Sequence, residues 1–222
     1  MNYTQLVTEV SNYMENVFPT DVINTCITQA ERRIYNTVQI PALRKNVTGA
    51  VTINNKYLAC PTDFLASYSI AVFPYGGGDY TYLLNKDVNF IREAYPNPTS
   101  TGTPKYYALF GPTVVSNVPT TELSFIVGPT PDAAYSVELH YFYYPESITT
   151  VSGGQTWLGD NYDPVLFYGT LVEAYTFMKG EQDMMVLYNT KYSEALSQLK
   201  RLGDGLERQD AYRSGQARVA VT

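Results

Sequence analysis

The chain has 222 residues, 45% hydrophobic and only 16% charged, with a formal net charge of −6. At this length a chain buries roughly 70% of its unfolded surface, so it needs neither disulfides nor a structural metal to fold. The acidic balance excludes a general DNA- or RNA-binding role, which requires a basic face, yet it suits the wall of a passage along which a duplex moves without sticking.

The first block, to Val38, reads as two helices. Leu6, Val7, Val10, Met14 and Val17 recur at the helical period. Pro19 breaks the pattern, and Thr20 or Asp21 is placed to cap the next start. Ile23, Ile27, Ala30, Ile34 and Val38 then form one apolar stripe, with Glu31, Arg32 and Arg33 beside or behind it. Pro41 closes the helix, because proline disfavours helical geometry in the residue before it.

The second block, about residues 45–144, reads as strands. Val47, Gly49, Val51 and Ile53 alternate with polar or small residues, Asn54-Asn55 reads as a hairpin turn, and Tyr57 to Cys60 returns. Ser67 to Phe73 is a further strand, Gly76-Gly77-Gly78 a turn, and Tyr80 to Leu84 its return. Asp87 to Ala94 reads as a short helix. Tyr106 to Phe110, Leu123 to Val127 and Ser136 to Tyr144 complete an antiparallel sheet or small barrel.

The third block is helical. Asp163-Pro164 is a start signal, a capping carboxylate before a first-turn proline. Val165 to Val172 is apolar almost all round, which predicts a buried helix. Lys179-Gly180 reads as a basic last turn and a glycine cap. A long helix from Glu181 then carries Met185, Tyr188, Tyr192, Ala195, Leu196, Leu199 and Leu202 on one face and ends at Gly203 and Gly205. Leu206 to Thr222 has little periodicity and three arginines, Arg208, Arg213 and Arg218. It reads as a tail without its own core, suited to ordering on a partner.

Chemistry-bearing residues are sparse. The single histidine, His140, lies on a strand and lacks a GxSxG elbow or a neighbouring cysteine to work with. No metal-ligand spacing occurs, and Gly76 to Gly78 has no following Lys-Ser/Thr, so it is not a phosphate loop. Glu173 stands among apolar residues, either pointing outward, paired with an Arg or Lys, or buried with a raised pKa. Cys26 and Cys60 form no framework and point to a reducing compartment. The first ten residues do not read as a signal peptide, and no apolar run is long enough to cross a membrane. The sequence therefore predicts no catalytic, cofactor-binding or metal-binding residue. Tyrosine is the outlier, with 21 copies. Its broad ring and polar tip suit surfaces that meet partners, and Tyr75, Tyr80, Tyr82, Tyr106 and Tyr107 are the expected partner contacts.

Several stretches together carry a resemblance. Arg32-Arg33-Ile34-Tyr35 precedes Val38-Gln39-Ile40-Pro41-Ala42-Leu43-Arg44, followed by Tyr57-Leu58-Ala59-Cys60-Pro61-Thr62-Asp63-Phe64-Leu65. Thr103-Pro104-Lys105-Tyr106-Tyr107, Gly128-Pro129-Thr130-Pro131 and Leu139-His140-Tyr141-Phe142-Tyr143-Tyr144-Pro145 come next, then Gly169-Thr170-Leu171-Val172-Glu173-Ala174-Tyr175. In this order they resemble the head-to-tail adaptor (connector) proteins of tailed bacteriophages, over nearly the whole chain. Cys60, where a small apolar residue is expected, and the stretch Pro112 to Thr121 depart from the pattern.

The resemblance implies an α+β fold. The N- and C-terminal helices (1–44 and 159–205) make a bundle, an antiparallel β domain (45–158) is inserted, and a tail (206–222) follows. It further implies a ring of about twelve copies in the virion neck, closed by head-to-tail contacts. The implied partners are the portal protein and a tail or nozzle protein, with DNA only as passing cargo and no membrane. Assembly would occur in the host cytoplasm. Arg208, Tyr212, Arg213 and Arg218 are then the expected portal contacts. The alternatives are a carbohydrate-binding tail or spike module using Trp157 and the tyrosines, a carboxylate hydrolase, or another neck protein such as a stopper.

Overall fold

The computed structural model describes residues 1–97, 99–111, 114–115, 118–119 and 123–211; for 114–115, 118–119 and 207–211 it describes the backbone alone. The chain begins with α1 (Tyr3–Met14), α2 (Thr20–Thr37) and a 3₁₀ turn (Pro41–Leu43). The strands β1 (Arg44–Val51), β2 (Tyr57–Ala59), β3 (Phe64–Pro74), β4 (Thr81–Tyr82) and β5 (Leu84–Asn85) lead to α3 (Val88–Ala94). After it come β6 (Tyr106–Phe110), β7 (Val114–Val115), β8 (Val118–Pro119), β9 (Ser124–Gly128) and β10 (Tyr135–Tyr143). The chain closes with α4 (Trp157–Asn161), α5 (Asp163–Met178) and α6 (Gln182–Ala211). This is an α+β fold whose terminal helices flank the strands. Contacts divide it into two compact units, Met1–Leu43 with Tyr144–Thr222, and Arg44–Tyr143.

In the helical unit α5 is the central element, packed against α1, α2, α4 and α6. Its apolar circumference explains this: Val165, Leu166, Phe167, Leu171, Val172 and Ala174 are all buried. Where the helices come closest, Gly169 leaves room for Ala30 of α2 and the Tyr192 ring of α6. The stripe of α2 is buried as its period requires, from Ile23 to Ile34.

Several helix ends differ from the sequence expectation. Asn2 and Gln5 form a reciprocal capping box on α1, which stops at Glu15 in the left-handed region. Val17, counted on that stripe, lies beyond the helix and is 85% exposed; Phe18 is buried instead. Neither Thr20, Asp21 nor Asp163 caps a helix, because each already lies in a first turn. The cap positions are Pro19 and Tyr162, with no side-chain bond. The left-handed residue after α5 is Lys179, one before the expected glycine.

The largest difference is in α6, which runs through Gly203 and Gly205 to Ala211. Gly203 is a packing glycine: a Cβ there would stand 2.5 Å from Cγ2 of Ile40, whereas one at Gly205 would meet nothing within 4 Å. The two alanine variants should therefore shift stability in opposite directions. Gly205→Ala gains up to about 1 kcal/mol of helix propensity. At Gly203 overpacking of about 1–3 kcal/mol outweighs that gain. Urea denaturation of both variants checks this, and equal shifts would contradict the packing role.

Glu31 is buried, not beside the stripe. The backbone N–H of Ile148 donates to its Oε1 at 2.9 Å. Burial pushes its carboxyl above the usual value of 4.5, against the opposing bonds from Ile148 and Ser147. A carboxyl that holds its proton more tightly in the folded state lowers stability as pH rises from the ordinary value through the raised one. Glu31→Gln keeps the acceptor and removes the charge. It should flatten that part of the pH–stability profile, and an unchanged slope would assign the dependence to another group.

The second unit is built in layers. One sheet has the order β1-β10-β3-β4 and is antiparallel throughout. The other has the order β2-β9-β6-β5, with one parallel pair, β5 and β6. Between them lies a core that includes Val51, Phe64, Ile70, Val72, Tyr107, Phe125, Val127, Leu139 and Tyr141. The helix α3, capped by Asp87, covers the other face of the second sheet, where Ile91 meets Ala108 and Ile126. This is why all of β9 is buried: alternate residues serve two cores.

The expected hairpin between β1 and β2 does not form. Asn54 does take positive φ, but its N–H bonds the Pro131 carbonyl, and β2 crosses to the other sheet to pair with β9. The hairpin across the glycine turn does form, as β3 and β4. In β1 only Val51 of the alternating apolar set is buried, because this strand lies at the edge of its sheet.

Candidate partner-binding surface

Three exposed tyrosines gather at one margin of the first sheet. β3 places Phe73, the turn places Tyr75, and β4 with its approach places Tyr80 and Tyr82. The Phe73 and Tyr80 rings lie 4.6 Å apart, and the Tyr80 and Tyr82 rings are stacked at 6.3 Å. Tyr75 is 84% exposed, Tyr82 70% and Tyr80 47%. The stacked Tyr80 and Tyr82 rings, with Tyr75 on the neighbouring turn, are held open to water and form the kind of aromatic platform that anchors protein contacts.

Register shows what shares this face. Thr48, Glu138, Ala71 and Tyr82 pair in one row across the sheet, and Asn46, His140 and Ser69 in another. Glu138 and His140 are alternate residues of β10 and therefore neighbours on the face, with Nε2 of His140 3.0 Å from Oε1 of Glu138. Tyr80 also neighbours Glu138. The face is polar and aromatic, with one acid beside both a histidine and a tyrosine.

Two expected contact residues lie elsewhere. Tyr107 is 4% exposed, its ring edge-on to Phe125 and its hydroxyl donating to Ser67 at 3.3 Å. It is a core residue of this chain. Tyr106, on the opposite face of β6, packs against Phe90 and Tyr95. Strand alternation explains the separation, since consecutive residues point into different layers. Arg208 lies on the last turns of α6, whereas Tyr212, Arg213 and Arg218 lie outside the described residues.

The groups that could carry chemistry are occupied structurally. Glu173 is ion-paired with Arg33, joining α5 to α2. Both cysteines are free and buried. Burial pushes the Cys60 thiol up to about 12. Burial, and then the Glu173 charge, raise that of Cys26. Both shifts disfavour the thiolate that nucleophilic attack needs. Among the described residues no group of three or more His, Cys, Asp or Glu could hold a metal ion, and no helix is long and apolar enough to cross a membrane.

Two structural clusters escaped the sequence reading. Asp63 accepts from Nζ of Lys45 and from the Tyr141 hydroxyl, each at 2.8 Å. Burial works against its charge, but these two partners hold its carboxyl below the usual range. Arg44 lies over the Tyr68 and Phe142 rings, its guanidinium 4.0 Å and 5.1 Å from their centres. Neither partnership has a local sequence signal, because each joins residues far apart in the chain.

No curated protein matches the chain. The family model described as SU10 adaptor protein matches residues 1–220. With helices at both ends of the chain, two sheets from the strands between them and an exposed aromatic face, and a family match over nearly its whole length, the chain belongs to the SU10 adaptor protein family, a family of bacteriophage adaptors.

Proposed function

We propose that this chain is the ring-forming adaptor between portal and tail, present in about twelve copies that close head-to-tail. The observation that carries the proposal is the family match over residues 1–220. The net charge of −6 supports a channel wall that DNA passes without binding. The platform of Tyr75, Tyr80 and Tyr82 supports a surface for a neighbouring subunit or a tail protein. No residue is assigned a catalytic role, since the family is structural and its members are not enzymes as a class.

On the portal side the contacts are Arg208, Tyr212, Arg213 and Arg218. Arginine suits this role because its planar fork meets carboxylates bidentately. Deleting 207–222 keeps the seat of Gly203 on Ile40, so the helical unit should melt within a few degrees of the full chain. Attachment to the portal should fall at least about tenfold, as loss of one binding anchor implies. Normal attachment by the truncated chain would contradict the assignment.

A further inference from the structure

The first sheet has two edges that no described strand of this chain covers. At one, β1 is eight residues long and residues 45–50 are exposed. It carries no proline, and its register with β10 is unbroken from Arg44 to Val51. Proteins usually blunt such edges, because an open, regular strand is a template for pairing. Among the described residues no other edge strand is as long: those of the second sheet are β2, of three residues, and β5, of two, and β4 at the opposite edge of the first sheet also has two. At the opposite edge of the first sheet lies β4, with the Tyr80 and Tyr82 rings beside it.

The two open edges are complementary. Every neighbouring pair in this sheet is antiparallel. With four strands, β1 and β4 therefore run in opposite directions. A second copy placed alongside in the same orientation brings its β1 antiparallel to β4 of the first. This join uses two different surfaces of one chain, as a closed ring requires. The side chains match as well. Tyr82 is level with Thr48 across the sheet and on the same face. The exposed rings thus meet the small side chains of Asn46, Thr48 and Ala50 on the next copy, all exposed. The half-open Val47 gains cover on the other face.

We propose that this sheet is continuous from copy to copy, β4 of one chain pairing with β1 of the next while Tyr80 and Tyr82 lie over Asn46, Thr48 and Ala50 of the neighbour. The proposal rests on the ring reading above and specifies the neighbour contact within it.

The test uses particles assembled with the Thr48→Cys/Tyr82→Cys double variant and treated with a short bismaleimide. The native cysteines are buried, and unsubstituted particles give the background. The expected result is a ladder of covalent multimers from the double variant and only monomer from either single variant. Dimers from a single variant would mean that like edges meet, which overturns the proposal. Absence of a ladder in particles that hold many copies also overturns it and leaves the ring standing. A single copy per particle would remove the ring reading itself. Should loss of Tyr82 prevent uptake, Ala50→Cys with Asp79→Cys reads the same junction.

Discussion

Ile27→Asp is expected to unfold the helical unit at room temperature. Ile27 is fully buried on α2, within the stripe that packs against α5. A carboxylate there has no cation on its own stripe and loses its hydration. The cost is several kcal/mol, comparable with the roughly 5–15 kcal/mol that holds a typical domain folded. Ile27→Val keeps the shape and should cost only about 0.5–1.5 kcal/mol. Circular dichroism melting of both variants measures the difference. Melting of the Asp variant at the native temperature would refute a core shared by the two ends of the chain.

Phe125→Ala should cost about 3–5 kcal/mol, the range for removing a buried aromatic ring. Phe125 is fully buried on β9 and takes edge-on contacts from Phe64 at 5.4 Å and Tyr107 at 5.7 Å. These rings come from strands of both sheets, so the variant opens a cavity where the layers meet. Hydrogen exchange should show amides of β9 and β10 losing protection by the corresponding factor. Retained protection at these strands would place the strength of the unit elsewhere. Phe125→Leu, which fills more of the site, should lose less than the alanine variant.

Elements were legible where a period ran uninterrupted. The stripe on α2, the apolar circumference of α5 and the run of β6 all follow from residue spacing. Pairing was less legible, because turn residues show where a chain bends and not which strand it meets next. Asn54 takes positive φ as expected, yet β2 pairs with β9, since both sheets need residues for the shared core. Gly203 shows the same limit in a helix. A glycine near a helix end reads as a stop, and only the position of Ile40 reveals it as a seat. Glu31 was legible in principle: it stands four residues after Ile27 and three before Ile34, which is the buried face. Its charge argued against burial, and the Ile148 N–H that donates to it stands 117 residues further along the chain.

The surface divides similarly. High tyrosine content pointed to a partner-facing region, and three of the five tyrosines singled out there are exposed on one margin. Tyr106 and Tyr107 belong to the chain's own packing, a distinction made by the layers on either side of β6. The ion pair of Glu173 with Arg33 lay within the alternatives that the sequence left open.

The measurement that tests the adaptor reading most directly is an electron cryomicroscopy reconstruction of the phage neck, with this chain located by a fused tag. The account predicts density for a closed ring of about twelve copies, in contact with the portal on one side and the tail on the other. Density at the tail tip or in a spike, or a single copy per particle, would contradict it.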